Sequence, residues 1–399
     1  MEKKRCVGTV VRGIRTPIIK QGDDLVNIVV DALMEASKHE TFNFYEKDVI
    51  AITEGVVAKA QGNYVSVDDI AIDIKNKFPN GHIGIVFPIL SRNRFALCLK
   101  GIARGCKKIT MLLNYPADEV GNPILQEERL KQYNINPYSD IITEDEYTNL
   151  FGDFVHLFTG INMVDFYREV AQKEGCDIEF VFSNNPITIL NYTKDVLISD
   201  IHSREQTKKK VIEAGGKQVY CLSDIMSESI NGSGYNKDYG LLGSNRATEE
   251  SLKLFPTGAQ GLIEAIQSKM KELTGKTLEV MVYGDGAFKD PIGGIWELAD
   301  PVVSPFYTSG LEGTPNELKL KYIADNKFEH LKGAELQNAI KIEIANKRND
   351  LRGNIETQGT TPRRLTDLLG SLCDLTSGSG DKGTPVILIQ GYFDNYASN

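Results

Sequence analysis

The chain has 399 residues, 41% of them hydrophobic; at roughly 150 residues per domain this means two to three domains with ordinary buried cores, and excludes a small staple-dependent module. Lys and Arg total 45 against 54 Asp and Glu, a net charge of −9 with no basic block to offset it. Nucleic acid and anionic membrane are therefore set aside as main partners, in favour of a small molecule or another protein.

No apolar run approaches the ~20 residues of a membrane helix. The start, MEKKRCVGTVVRG, passes from charge straight into a strand-like run instead of a signal-peptide core, so a cytoplasmic protein is expected. The six cysteines (Cys6, Cys98, Cys106, Cys176, Cys221, Cys373) are scattered, without a C-x-x-C pair or a nearby histidine. Buried reduced thiols are expected, not a zinc set or a disulfide framework.

In the first 80 residues, β-branched clusters predict strands at 7–14 and 48–57, and helical apolar spacing predicts helices at 24–37 and 68–78, the second ended by Pro79-Asn80-Gly81. From 82 to about 225 the pattern becomes a regular alternation. Strands are predicted at 82–89, 107–115, 176–183, 195–201 and 217–223, with helices at 92–105, 160–175 and 202–216. Near-continuous apolar strands separated by helices predict a parallel sheet covered on both faces. A Gly/Ser/Asn-rich break at 227–240 precedes a helix at about 248–273, a strand at 277–284, helices at about 333–351 and 362–376, and a last strand at 385–393.

Three segments are candidates for chemistry. Thr53–Gly62 follows a strand, where open α/β sheets place ligands, and Lys59 among glycines could neutralise a phosphate; a solvated lysine is the competing reading. Tyr283–Asp290 carries Asp285 and Asp290 on one loop, which suits Mg²⁺ or Mn²⁺, although a capped turn fits as well. Thr376–Thr384 can expose backbone N–H groups as an anion nest, with Ser379 or Asp381 reaching a metal or phosphate; a flexible hairpin is the alternative, and the Walker A order is absent. His202, beside Asp200 at a strand end, is the one histidine placed like a catalytic residue, against the plainer reading of a helix-start histidine. No G-x-S-x-G elbow is present.

Taken in order, several blocks resemble the coenzyme F420-0:L-glutamate ligases. They are Gly-Ile-Arg-Thr-Pro-Ile-Ile-Lys-Gln-Gly-Asp-Asp-Leu (13–25), Val49–Thr53 leading to Val57-Ala58-Lys59-Ala60-Gln61-Gly62, Gly243-Ser244-Asn245, Leu273-Thr274-Gly275-Lys276, and Gly378–Pro385. The resemblance covers about 1–80 and 235–399. It implies an α/β fold class in which a discontinuous α+β ligase core, 1–81 and 226–399, carries an inserted Rossmann-like domain at 82–225.

The resemblance also implies a reaction: a small-molecule carboxylate takes the γ-phosphoryl group of GTP or ATP, and the amine of L-glutamate displaces phosphate to form a γ-glutamyl amide. Implied catalytic residues are Lys59 and Asp285; implied nucleotide contacts are Lys59, Ser244, Asn245, Gly378, Ser379 and Gly380. Asp285, Asp290 and Asp381 are the implied ligands for Mg²⁺ or Mn²⁺, with K⁺ as a further candidate ion, and a homodimer is expected. Cations are needed because phosphoryl transfer brings two anions together. The chain departs from the family pattern at Leu242 and Ser379, which stand where metal-binding carboxylates are expected. Two alternatives follow: a folate-type acceptor, or a ligase-derived nucleotide-binding protein without turnover.

Overall fold

The computed structural model describes residues 6–398 apart from 153, 157–159, 285–300, 362 and 379. In chain order the elements begin β1 (Val10–Ile14), α1 (Leu25–His39), β2 (Val49–Thr53), α2 (Glu54–Gln61), β3 (Tyr64–Ser66) and α3 (Val67–Lys77). They continue with β4 (His82–Val86), α4 (Phe95–Gly105), β5 (Lys108–Leu113), α5 (Glu127–Gln132), β6 (Ile142–Thr143), α6 (Glu144–Phe151), α7 (Met163–Lys173), β7 (Asp177–Phe182), β8 (Asp195–Ile198), α8 (Arg204–Glu213) and β9 (Gln218–Cys221). The last part holds β10 (Asn245–Arg246), β11 (Ser251–Lys253), α9 (Gln260–Thr274), β12 (Glu279–Tyr283), β13 (Phe306–Tyr307), α10 (Leu320–Asn326), α11 (Gly333–Ala345), α12 (Leu365–Thr376) and β14 (Val386–Gln390). The fold is α/β, as expected. No helix among the described residues is long and apolar enough to cross a membrane.

Three sheets organise these elements. A mixed five-stranded sheet runs β1-β14-β2-β12-β13, a small one runs β10-β11-β3, and a six-stranded one runs β6-β7-β5-β4-β8-β9. In the last, β7, β5, β4, β8 and β9 are mutually parallel and only the short edge strand β6 is antiparallel. The near-continuous apolar strands required this arrangement, since a strand that is apolar on both faces must be covered on both. On one face Ile83, Ile85, Met111 and Phe180 pack with α3, α4 and α7; on the other Val86, Leu112, Val196 and Ile198 pack with Val211 of α8.

The five-stranded sheet is covered likewise. Ile50, Ile52, Val280 and Val282 meet Val29 and Leu33 of α1 and Ile263 and Ile266 of α9, while Val49, Ala51 and Met281 meet Leu369 and Cys373 of α12. Each aliphatic side chain fully buried this way contributes about 1.5–3 kcal/mol.

Packing is continuous across residue 81. Ile70 and Ile74 of α3 share one core with the parallel sheet, and α3 lies so close to α4 that a β-carbon at Gly101 would stand 2.6 Å from Ile70. Leu222, Leu241, Leu242, Leu252 and Leu254 join the same core. α4 is therefore buried at Phe95, Leu97, Leu99 and Ile102 alike, positions that point in several directions around its axis.

Two predicted elements are corrected. The strand expected over 48–57 stops at Thr53 and continues as α2, because the sheet edge is reached there: Tyr283, the last residue of β12, pairs with Thr53, and Gly62 closes the helix at φ 68°. The helix expected from 248 starts at 260. Residues 251–253 pair instead with β3, and Pro256 and Gly258 could not sit inside a helix without cost. α5, β6 and α6 lie in a stretch for which no element was predicted.

Candidate functional site

Topology brings three of the singled-out segments to one edge of the five-stranded sheet. β12 is parallel to β2 with Tyr283 opposite Thr53, so the two strands end together. β14 is antiparallel to β2 with Val386 opposite Ile52, so the glycine-rich segment entering β14 arrives at that edge too. The head of α2, Tyr283-Gly284 and Ser377–Pro385 are thereby neighbours.

Glu54, the first residue of α2, is 6% exposed; its carboxylate accepts from Asn245 Nδ2 at 3.4 Å and from Thr53 Oγ1 at 3.3 Å. Lys253 lies opposite Asn245 in the β10–β11 pair, and its Nζ donates to the Gly55 carbonyl at 3.2 Å. A β-carbon at 55 would stand 2.9 Å from that Nζ, so glycine is what admits the lysine. Lys59 follows Gly55 by one turn on the same helix face, and helical side chains lean towards the N-terminus, so both lysines serve one face of α2. Gly62 acts locally, as the left-handed cap of α2, and a β-carbon there would overlap Gln21.

The 378–384 segment is a hairpin closed by the Gly378–Thr384 bridge, with Thr384 N donating to Gly378 O at 2.9 Å. It is tied down on two sides, Thr16 N to Gly383 O at 3.2 Å and Thr53 N to Pro385 O at 3.1 Å. Gly380 and Asp381 are exposed at its tip. Beneath it the Tyr283 hydroxyl is buried; burial raises its pKa well above the usual phenol range, and the Ser377 side chain, its nearest polar neighbour, partly opposes the shift.

Of the predicted site residues, Lys59, Asn245, Gly378 and Gly380 belong to elements that meet at this edge. Ser244 does not face it. Neighbouring residues of an extended strand point to opposite sides, and Ser244 Oγ lies 3.5 Å from Cys98 Sγ, beside a cavity of about 30 Å³ that Ile89, Phe95 and Ser199 also line. Leu242 is in the same apolar wall, 1% exposed. Asp285, Asp290 and Ser379 lie outside the described residues. Among those described, no three His, Cys, Asp or Glu side chains are grouped so as to hold a metal ion.

Sequence reasoning gave no role to Glu54 or Tyr283, although both stand in the candidate segments, and missed Lys253 altogether. Nothing local marks Lys253: it sat inside the helix wrongly predicted from 248. Only the cross-strand pairing with β10 and β3 brings it to α2.

The carboxyl edge of the six-stranded sheet holds a second polar group. Asp118 accepts from Leu90 N at 2.9 Å and Asn122 N at 2.7 Å, and burial raises its pKa to about 6 against those bonds. Glu119 accepts from the backbone N–H groups of Ile201 and His202, and burial raises its pKa to about 7. Asp200 accepts from Ser203 Oγ at 2.6 Å and Thr207 Oγ1 at 2.9 Å, at the start of α8. His202 is exposed and contributes its backbone N–H here. These acids hold loops and a helix start in place.

No curated protein matches the chain. The sequence model of the F420-0:gamma-glutamyl ligase family matches residues 13–391, nearly the whole length, and the chain belongs to that family.

Proposed function

We propose that this protein is a nucleotide-dependent γ-glutamyl ligase that activates a small-molecule carboxylate as an acyl phosphate and joins it to the amine of L-glutamate. One observation carries the reading beyond family membership: the head of α2, Asn245, Lys253, Tyr283 and the 378–384 hairpin meet at a single sheet edge. Lys253 supplies positive charge at the head of α2 beside its first-turn N–H groups, and Lys59 adds a second positive charge from the last turn of the same short helix, an arrangement suited to phosphate oxygens. In this reading the glycine-rich hairpin that reaches the same edge would add backbone N–H groups to the phosphate site. Glu54 holds Asn245 in place and so fixes β10 against α2.

In this proposal Asp381, with Asp285 and Asp290, would hold Mg²⁺ or Mn²⁺, whose part is to neutralise charge on the phosphates. Calorimetry with GTP and with ATP, each with Mg²⁺ and with Mn²⁺, tests the nucleotide step; micromolar-range binding of one of them is expected, and no heat with any combination would remove the proposal. Labelled glutamate offered with deazaflavin and with folate acceptors identifies the acceptor and tests the homologous and folate-type readings together. A homodimer and cytoplasmic residence belong to the same proposal.

Leu242 favours a second reading. The wall it packs into is apolar, so a carboxylate expected there by the family pattern has no counterpart. A nucleotide-binding protein without turnover would bind as above yet release no phosphate with any carboxylate acceptor.

A further inference from the structure

Cys106 and Cys176 are 70 residues apart in sequence, yet their sulfurs lie 3.6 Å apart. Sequence spacing gave no hint of this pair. The fold makes it: Cys106 caps the C-terminal end of α4 and leads into β5, Cys176 leads into β7, and β5 and β7 are adjacent parallel strands. Asp177 N donates to Lys107 O at 3.0 Å, so the backbone beside both cysteines is pinned. Cys106 has extended geometry, φ −136° and ψ 174°, and is partly exposed, whereas Cys176 is 1% exposed.

We infer that Cys106 and Cys176 form a reversible disulfide when the protein meets a peroxide, clamping the end of α4 to the start of β7. A disulfide bond is about 2.05 Å long, so the sulfurs need to close by about 1.5 Å, within reach of side-chain rotation between fixed backbones. Access runs through Cys106. The hydrogen bond between the thiols lowers the pKa of Cys176 and raises that of Cys106, so Cys176 is the sulfur that attacks a peroxide admitted past the partly exposed Cys106. Two S–H bonds break and one S–S bond forms; the two electrons and two protons go to hydrogen peroxide, whose O–O bond breaks to give two waters.

Cys98, Cys221 and Cys373 are buried, and burial raises the pKa of each thiol. Cys6 is exposed, so the test uses a Cys6→Ser background to remove intermolecular bridging. The full chain is treated with hydrogen peroxide, then denatured, alkylated, digested and analysed by mass spectrometry. The expected result is a linked pair of peptides containing Cys106 and Cys176, abolished by dithiothreitol and absent from Cys176→Ser. The bridge closes a long loop, so the oxidised protein should also show a higher Tm than the reduced one. Alkylation of both cysteines after peroxide, or separate oxidation of either to a sulfinic acid without a linked pair, would overturn the inference. Nucleotide binding is not an input to this test, so its outcome is independent of the proposed ligase activity.

Discussion

The two large sheets put their polar residues in the same place and use them differently. At the edge of the five-stranded sheet, Lys253 of β11 and Lys59 of α2 are partly exposed, and Gly55 of α2 leaves the room that Lys253 occupies. At the carboxyl edge of the six-stranded sheet, Asp118 and Asp200 are buried and Glu119 is half-buried; backbone N–H groups or hydroxyls engage each of them, and Asp200 Oδ1 alone of their carboxylate oxygens is enclosed without a partner among the described residues. An ionisable residue at a strand end is thus a weak signal by itself. What marks the six-stranded edge as mainly a brace is that most of its carboxylate oxygens accept from the chain's own backbone N–H groups and hydroxyls.

The largest effect expected from sharpening this contrast is at Leu242. Leu242→Asp would replace a 1% exposed aliphatic side chain by a carboxylate in a mainly apolar wall, with Arg94 lining the same cavity, and we expect a loss of at least about 3 kcal/mol in urea unfolding. Little change in stability would place residue 242 at the edge of the polar site and weaken the contrast.

Next comes Glu119, as a structural acid. Its folded pKa is raised from 4.5 to about 7 by burial, so the folded state binds its proton more tightly than the unfolded chain does. Its contribution to stability is then full below about pH 4.5 and is lost as pH rises through about 7, by about 2–3 kcal/mol in all. Asp118 acts in the same direction but finishes titrating near 6. Urea midpoints against pH should therefore show a fall between about pH 6 and 7 that disappears in Glu119→Gln. A stability that rises over that interval would break the assignment.

Gly101→Val tests whether α3 and the parallel sheet form one unit. Its β-carbon would meet Ile70 at 2.6 Å, and overpacking of this kind costs about 1–3 kcal/mol. Hydrogen exchange in α3 and in β4 should quicken together; quickening in α3 alone would separate them. The smallest effect is expected at Lys253→Ala, a half-buried position whose loss should weaken nucleotide binding about tenfold with little change in Tm. Unchanged affinity would move the phosphates elsewhere on the sheet edge.

Much of the architecture was legible because it rests on short-range rules. Apolar runs without alternation marked β4, β5, β7, β8 and β9 as strands covered on both faces, and helical spacing marked α1, α3, α4 and α7. Local signals failed where pairing decided. Ser251–Lys253 has no strand character of its own and is extended because β3 and β10 flank it, and Val56-Val57 is β-branched yet helical because β2 has no partner beyond Thr53.

The sequence by itself determined the fold class, the family and the three segments worth watching, since composition, periodicity and ordered blocks are properties of the chain read residue by residue. Tertiary structure alone decided that those segments share an edge, that Lys253 and Glu54 join them, that Ser244 faces the other way, and that Cys106 meets Cys176. Each of those facts depends on which strands pair and in which direction. A strand's own sequence specifies which faces it must bury, whereas its neighbour and its register come from the rest of the chain.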